Sequence, residues 1–315
     1  MNKPKVPPKI GLVLGSGASR GWSHIGVIKA LLREGIVPDI ICGTSVGAMM
    51  GAAYLTGNLE KLEDWVLSST RTDVYKFFNV KFSQSGFVDK DRMIRFLETY
   101  VTGEDTRIED LPKPYAAVST NLKNGREKWF QEGSLVDAVR ASMALPGLFP
   151  AVHIDQRWMV DGGLVNPVPV STCRALGADI VIAVNLNTDI IGKRNNKKPD
   201  PEPEPAPESE QKGKKGMLQN IKQTTREYSN SIFPDREKAT EPPGLFTAIT
   251  NSINIVQDRI TRSRLAGDPA EVLISPRLAH IGMLEFHRAA EAIEEGENCV
   301  EKVLAEIHRV LAVET

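Results

Sequence analysis

The fold prediction starts from one stretch, Asp39-Ile-Ile-Cys-Gly-Thr-Ser-Val-Gly-Ala-Met-Met-Gly-Ala-Ala-Tyr54. Its centre, residues 43–47, is a G-x-S-x-G pentapeptide. The apolar run at residues 40–42 predicts a buried strand, and the small residues of 46–55 predict a tightly packed helix. This is the context of a nucleophile elbow, with Ser45 at the tip and its hydroxyl exposed. Gly43 and Gly47 stand where a side chain would collide with the turn or with neighbouring backbone.

The pentapeptide alone is weak evidence, because it occurs by chance in many chains of this length. A second glycine-rich turn lies upstream, where a predicted strand at residues 10–14 runs into Gly15-Ser-Gly-Ala-Ser-Arg-Gly21. A helix is predicted from Trp22 to Glu34, because its apolar residues recur at helical spacing. A loop of this kind, placed before a helix, presents several backbone N–H groups to an anion.

Three kinds of anion could bind this loop. A dinucleotide fingerprint requires G-x-G-x-x-G, but its last position is Arg20, and no acidic residue ends the second strand. A P-loop requires Gly-Lys followed by Ser or Thr, whereas Gly21 precedes Trp22 and Ser23. The third anion is the tetrahedral oxyanion of acyl transfer. Only an oxyanion would require both glycine-rich turns, because its donors must lie next to a nucleophile and Ser45 lies at the end of the next strand.

Three motifs together resemble those of the patatin-like phospholipase family: residues 15–21, residues 43–47 and Asp161-Gly-Gly163. The resemblance covers about residues 10–186. It implies an α/β fold, a three-layer α/β/α sandwich with a mostly parallel central sheet. It also implies a nucleophile, Ser45, and a proton acceptor, Asp161, with the motifs supported by Gly15, Arg20, Gly21, Gly43, Gly47, Gly162 and Gly163. One departure is that Ser16 and Ala18 occupy loop positions that are often glycine in the family.

The base that activates the serine has two candidate identities. A serine hydroxyl needs a base, and the usual base is a histidine held by a carboxylate. Asp161 could be that carboxylate, with a histidine drawn from His153, His280, His287 or His308. None of these histidines has the glycine-rich setting at a strand end that Asp161 has, so the simpler prediction is a Ser45–Asp161 dyad. Burial would raise the pKa of the aspartate and make it a better base.

The predicted reaction is hydrolysis of a lipid ester by acyl transfer to water. Ser45 attacks the carbonyl, and backbone N–H groups of Gly17 and Ala18, aided by Ser16, hold the oxyanion. The substrate is a phospholipid, lysophospholipid, acylglycerol or other long-chain ester, and no metal or organic cofactor is required. Two alternatives remain open: an acyltransferase that uses the same dyad, and a lipid-binding regulatory protein with weak turnover.

Two residues near the loop have competing interpretations. Arg20 could interact with a lipid phosphate or charge in the loop, or it could hold the loop to a neighbouring carbonyl or carboxylate. His24 is more typical of a packing or hydrogen-bonding residue than of a ligand. The aromatic stretch from Thr70 to Val88 could cover an acyl-chain groove, although a satellite core under a long loop is the simpler interpretation.

Composition places the chain among ordinary globular proteins. It has 315 residues, of which 41% are hydrophobic, and a net charge of −1, so nothing indicates a nucleic-acid partner. Its three cysteines form neither a metal-binding spacing nor a disulfide framework, which suits a reducing compartment. No apolar run reaches the length of a bilayer span. We expect a cytoplasmic protein, with peripheral contact at the inner face of a membrane left open.

The predicted domain organisation is one catalytic domain with a long insertion. Residues 10–190 form the core, and residues 191–244, with proline at every second position from 199 to 207, form a disordered insert. Residues 245–315 return as helices and one strand, at 271–275, that completes the same domain. Residues 245–265 are amphipathic and could lie on a membrane or cover the site, but packing on the domain is expected. A helix break is expected at Glu294 to Gly296.

Overall fold

The computed structural model describes residues 7–70, 73, 90–188 and 245–314. The aromatic residues of the loop predicted at 70–88 and the whole insert predicted at 191–244 lie outside these ranges. The division into core, insert and C-terminal part therefore stays a prediction. The C-terminal part does contribute to the same sheet, because a strand at 272–274 pairs in parallel with the strand at 180–184.

A single mixed sheet of eight strands forms the centre of the described structure. The strands are β1 (Ile10–Leu14), β2 (Ile40–Thr44), β3 (Tyr115–Asn121), β4 (Glu127–Phe130), β5 (Val152–Ile154), β6 (Arg157–Asp161), β7 (Ile180–Val184) and β8 (Val272–Ile274). Strands β3, β2, β1, β7 and β8 are neighbours in that order and run parallel. Strands β4 and β6 pair antiparallel with β3, and β5 pairs antiparallel with β6.

Helices follow most of the parallel strands, as expected where parallel neighbours need crossover connections. They are α1 (Ser23–Arg33), α2 (Val46–Leu55), α3 (Leu59–Ser68), α4 (Lys90–Leu97), α5 (Leu135–Ser142), α6 (Val170–Ala175), α7 (Leu245–Gly267) and α8 (Ala289–Glu314). A 3-10 turn at Ala18–Trp22 precedes α1, and a π-helical turn at Glu98–Thr102 continues α4.

Both faces of the sheet are covered, which confirms the predicted three-layer α/β/α sandwich. Along β1, Leu12 and Leu14 contact one buried cluster and Val13 contacts another. The first cluster includes buried side chains of α1, α2, α3 and α8, and the second includes those of α6. Central strands buried on both faces explain why these segments are continuously apolar rather than alternating.

The helix break predicted at Glu294 to Gly296 is wrong, because α8 runs without interruption from Ala289 to Glu314. A Cβ on Gly296 would lie 2.1 Å from the carbonyl oxygen of Ser23. A Cβ on Gly26 would lie 2.0 Å from the carbonyl oxygen of Ile293. The glycine in α8 therefore permits close packing against α1, a role that overrides its low helix propensity.

Helix α7 packs on the domain, but only part of its apolar stripe contributes. Ile253 packs against a buried cluster, whereas Ile249 and Val256 are exposed. The buried side chains are polar and recur at helical spacing: Asn254, Gln257, Asp258 and Thr261. The polar groups they contact are described with the site below. No helix in the described ranges has both the length and the apolar character that a membrane span requires.

Candidate active site

Ser45 occupies the turn between the end of β2 and the start of α2. Its backbone has φ 57° and ψ −125°, a conformation that costs a non-glycine residue energy and that recurs at functional sites. Strand, turn and helix therefore form the predicted elbow. A Cβ on Gly47 would lie only 2.0 Å from the carbonyl oxygen of Leu14, so α2 can approach the end of β1 only with glycine at this position.

Strand β6 meets β2 end to end, because the two strands share one edge of β3. Val118 pairs with both Thr44 of β2 and Trp129 of β4, so β2 and β4 lie on opposite edges. Thr120 pairs with both β4 and β6, so β6 also lies opposite β4. Strand β6 therefore occupies the edge that β2 leaves. It runs toward β2 and ends at Asp161.

This arrangement brings Ser45 and Asp161 into contact. The Ser45 hydroxyl donates a hydrogen bond to Asp161 Oδ2 at 2.6 Å. The other carboxylate oxygen, Oδ1, accepts from the backbone N–H of Gly163 at 2.7 Å. The structure thus joins the two residues that the sequence analysis assigned to the dyad, although they are 116 positions apart. The Gly163 contact fixes the orientation of the carboxylate.

Burial gives Asp161 an unusual proton affinity. The residue is 1% exposed, and desolvation raises the pKa of its carboxyl group from 3.8 to about 6. Hydrogen bonds from Ser45 and Gly163 favour the charged form and limit the rise. At neutral pH the group is still a carboxylate, and it is a stronger base than a free aspartate.

Ser142 also supports the elbow, a role that was not predicted from the sequence. The backbone N–H of Ser45 donates to Ser142 Oγ at 2.8 Å. The Ser142 hydroxyl donates in turn to the carbonyl oxygen of Val118 at 2.6 Å. A small hydroxyl residue in the last turn of α5 thereby ties the elbow to β3. Its only sequence signal is its place in the segment Ala141 to Pro150, which precedes the predicted acid.

The loop after β1 leaves two backbone donors without an acceptor. The N–H of Gly15 donates to Val184 O at 3.0 Å, and that of Ser16 donates to Pro167 O at 2.8 Å. Within the described residues, the N–H groups of Gly17 and Ala18 donate to no protein acceptor. Ala18, with φ 49°, lines the same pocket as Ser45. Both amides are therefore available as donors, and their assignment to the oxyanion hole stays a prediction.

Ser16 has different partners from the one predicted for it. Its amide bonds to Pro167, and its hydroxyl donates to Gln257 Oε1 of α7 at 3.3 Å. Both donors are therefore engaged away from the elbow, which is a correction to its predicted place in the oxyanion hole.

The other glycines of the three motifs are required by close packing. An added Cβ would lie less than 3 Å from a neighbouring atom at Gly15, Gly17, Gly21, Gly43, Gly162 and Gly163.

Arg20 is buried beneath the loop and holds it from behind. Its Nε donates to the carbonyl oxygen of Gly17 at 3.2 Å, and its Nη2 donates to Asn254 Oδ1 of α7 at 3.2 Å. Only 2% of the residue is exposed. Of the two interpretations left open by the sequence, this geometry favours the one in which Arg20 holds the loop rather than a substrate phosphate.

Substituting Arg20→Lys should lower kcat about 10- to 100-fold while leaving KM within about twofold. A lysine cannot contact Gly17 and Asn254 together, and small displacements of catalytic donors have effects of this size. Ester hydrolysis by the purified variant checks this, with Arg262→Lys on the exposed part of α7 as the control. An increase confined to KM, and to phosphate-bearing substrates, would instead assign Arg20 to the head group.

No candidate histidine base within the described ranges is hydrogen-bonded to the elbow. In the described part of the chain, neither Ser45 nor Asp161 forms a hydrogen bond with a histidine. His153 packs on Trp158, and His280 pairs with Glu291. His24 is fully buried with its Nε2 2.8 Å from Gly15 O, and burial lowers its pKa to about 4. His24 is thus a neutral structural residue, as its sequence context indicated.

An apolar pocket adjoins Ser45. It encloses about 650 Å³ of free space, counting the part open to solvent. Ser45 and Ala18 lie in its wall, together with methionine, leucine and valine side chains and the aromatic residues Trp22, Trp65, Phe96, Phe149 and Phe286. These aromatic residues come from five separate segments, so no local sequence pattern predicts that they form one pocket. The pocket suits a hydrocarbon chain rather than a polar ligand.

Comparison with known proteins identifies the family of this chain. A protein-family profile described as patatin-like phospholipase matches residues 12–174, which include both glycine-rich turns and Asp161. An uncharacterized NTE family protein of Mycobacterium tuberculosis is 32% identical over 323 aligned residues, covering 92% of this chain and 89% of the relative. Patatin-like phospholipase domain-containing protein 6 of Homo sapiens is 35% identical over 191 residues, covering 57% of this chain but 13% of the relative. Among solved structures, VipD from Legionella pneumophila matches with a TM-score of 0.39 and 13% identity over 97% of this chain and 78% of that one.

Proposed function

This chain belongs to the patatin-like phospholipase family, and on that premise we propose that it is a serine lipid acyl hydrolase with Ser45 and Asp161 as its catalytic dyad. Family membership supports lipid hydrolase activity in general. The observation that carries the finer proposal is the 2.6 Å hydrogen bond from a serine in a strained turn to a buried carboxylate, at the wall of an apolar pocket.

The first half-reaction forms an acyl-enzyme. Ser45 Oγ attacks the ester carbonyl carbon as its proton passes to Asp161 Oδ2. The negative charge that develops on the carbonyl oxygen is stabilised by the N–H groups of Gly17 and Ala18, where each donor is worth a factor of about 10² to 10³. The tetrahedral intermediate then collapses, the bond to the alcohol oxygen breaks, and that oxygen takes the proton from Asp161.

The second half-reaction returns the enzyme. A water molecule attacks the acyl carbon and gives its proton to Asp161, and the same two amides hold the oxyanion. Ser45 Oγ then leaves with that proton, and the fatty acid is released. The acyl chain occupies the apolar pocket throughout, so long-chain esters, including phospholipids, lysophospholipids and acylglycerols, are the proposed substrates. An alcohol in place of water would give the acyltransferase alternative by the same steps.

A fluorophosphonate probe should label Ser45, and the rates of labelling and of ester hydrolysis should depend on the ionisation of Asp161. Only the carboxylate can accept the serine proton, so labelling and kcat/KM should fall about tenfold per pH unit below a pKa of about 6. Peptide mass spectrometry identifies the labelled residue, and a water-soluble ester gives the pH profile. Absence of label would support the regulatory binding protein instead. Transfer of acyl groups to added glycerol would identify an acyltransferase.

A further inference from the structure

An exposed apolar row lies on the antiparallel extension of the sheet. Asn121 pairs with Met159, and the next bond, from Leu122 N to Trp158 O at 2.9 Å, continues that register. Trp158 pairs with His153 on β5, and the two rings pack at 4.8 Å. Directly opposed residues point to the same side of a sheet, so these three side chains form one row. Leu122 is 56% and Trp158 54% exposed.

This row lies at the same end of the sheet as Ser45. Ser119 pairs with Asp161, which contacts Ser45, and β3 and β6 then extend beyond that level. Leu122 and Trp158 are each three residues further along their strands, which is about 10 Å beyond the level of Asp161, and their side chains point to the opposite face of the sheet from that of Asp161. A surface touched by this row would therefore lie close to the substrate-binding end of the molecule.

The chain around the row carries an excess of positive charge. The cations are exposed and, in the described residues, form no ion pair: Lys123, Arg126, Lys128 and Arg157. Besides the buried Asp161, two carboxylates lie in the same segments. Glu127 is engaged by Arg264 at 3.0 Å, which leaves Asp155 as the exposed acid. Four cations thus lie at the same end of the sheet as one exposed tryptophan and one exposed leucine, although Lys128 and Arg157 point to the opposite face. We call these six residues together the hairpin surface.

We propose that the hairpin surface docks this protein on a bilayer that contains anionic phospholipid. This inference rests on the proposed function, which requires access to lipid esters. Tryptophan prefers the boundary between head groups and acyl chains, where its ring is apolar and its N–H is polar. Lysine and arginine beside it are attracted to the phosphates of an anionic leaflet. The excess of positive charge and the position at the same end of the sheet as the dyad both favour a lipid surface.

Vesicle binding tests the proposal without turnover. The full chain carrying Ser45→Ala is sedimented with vesicles of phosphatidylcholine alone and of phosphatidylcholine with one-quarter phosphatidylglycerol. Binding should be at least tenfold tighter to the anionic vesicles and should weaken as salt is raised. Adding Leu122→Asp, or the triple change Lys123→Glu, Arg126→Glu and Arg157→Glu, should weaken it at least tenfold. Trp158→Ala is a milder variant in case Leu122→Asp lowers folding.

The matched control is Val37→Asp, which should bind like the parent. Val37 is 48% exposed but precedes β2, at the opposite end of the sheet. Equal loss in this control would overturn the proposal, as would no vesicle binding by the parent. Loss of vesicle binding in Val256→Asp alone would overturn the proposal and place the membrane contact on α7. A dimer that Trp158→Ala dissociates would also overturn it, because the row would then be an interface between two copies of the chain. Hydrolysis of a water-soluble ester by wild-type Ser45 protein with the same surface changes should stay unchanged, which separates docking from catalysis.

Discussion

Replacing Ser45 with alanine is expected to reduce ester hydrolysis by a factor of about 10⁴ or more, because no other nucleophile can form the acyl-enzyme. The fold should survive, because the alanine keeps the backbone bond to Ser142 that holds the elbow. A φ of 57° costs alanine about as much as it costs serine, so the free energy of unfolding should change little. Steady-state hydrolysis and fluorophosphonate labelling measure the loss, and circular dichroism verifies the fold.

Asp161→Asn is the companion variant. It removes the proton acceptor while keeping the shape and an oxygen for the Gly163 N–H, so activity should fall about 10²- to 10⁴-fold. The melting temperature of the variant should not fall with its activity. The folded state raises the pKa of Asp161 to about 6, so it binds a proton more tightly than the unfolded chain, and the charged form destabilises the protein above that pH. At pH 7.5 the variant should therefore melt at the same temperature or higher. Wild-type-like turnover by either variant would contradict the dyad.

The parts of the fold that sequence predicted well are those determined by local pattern. Buried parallel strands are continuous apolar runs, so β1 at Ile10–Leu14 has the predicted bounds. The helix Val46–Leu55 follows directly from its small residues after the elbow. The sandwich itself was implied by the resemblance of the three motifs to the family. Two of these motifs follow the parallel strands β1 and β2, whereas Asp161 ends β6, which is antiparallel to β3.

What sequence could not predict depends on contacts between distant segments. The helix break predicted at Glu294 to Gly296 is wrong, and only the approach of α1 explains the glycine inside α8. The inward face of α7 is polar because Arg20 and Ser16 present polar groups to it. Ser142 supports the elbow from 97 residues away, and no periodicity marks such a residue. Each of these features requires knowing which elements become neighbours.

Gly47→Ala should damage both catalysis and stability. The added Cβ would lie 2.0 Å from Leu14 O and 2.8 Å from Gly15 O, and both atoms belong to backbone that cannot rotate away. Either α2 or the end of β1 must move by about an ångström or more, and this separates Ser45 from the donors at Gly17 and Ala18. A displacement of this size can cost about 10²-fold in rate, and overpacking of this kind costs about 1–3 kcal/mol in stability.

The matched control for Gly47→Ala is Gly267→Ala at the end of α7, where an added Cβ meets no atom within 4 Å. It should leave both kcat and the melting temperature unchanged. The Gly47 variant should retain a folded circular dichroism spectrum at low temperature and melt several degrees lower, with kcat reduced about 10²-fold and slower fluorophosphonate labelling. The labelling rate distinguishes a displaced site from a smaller folded fraction, because the second would lower the labelled amount and leave the rate constant as it was. A kcat within twofold of wild type would show that the elbow and the loop after β1 need not be held at this separation, and the proposed oxyanion donors would then have to be sought elsewhere.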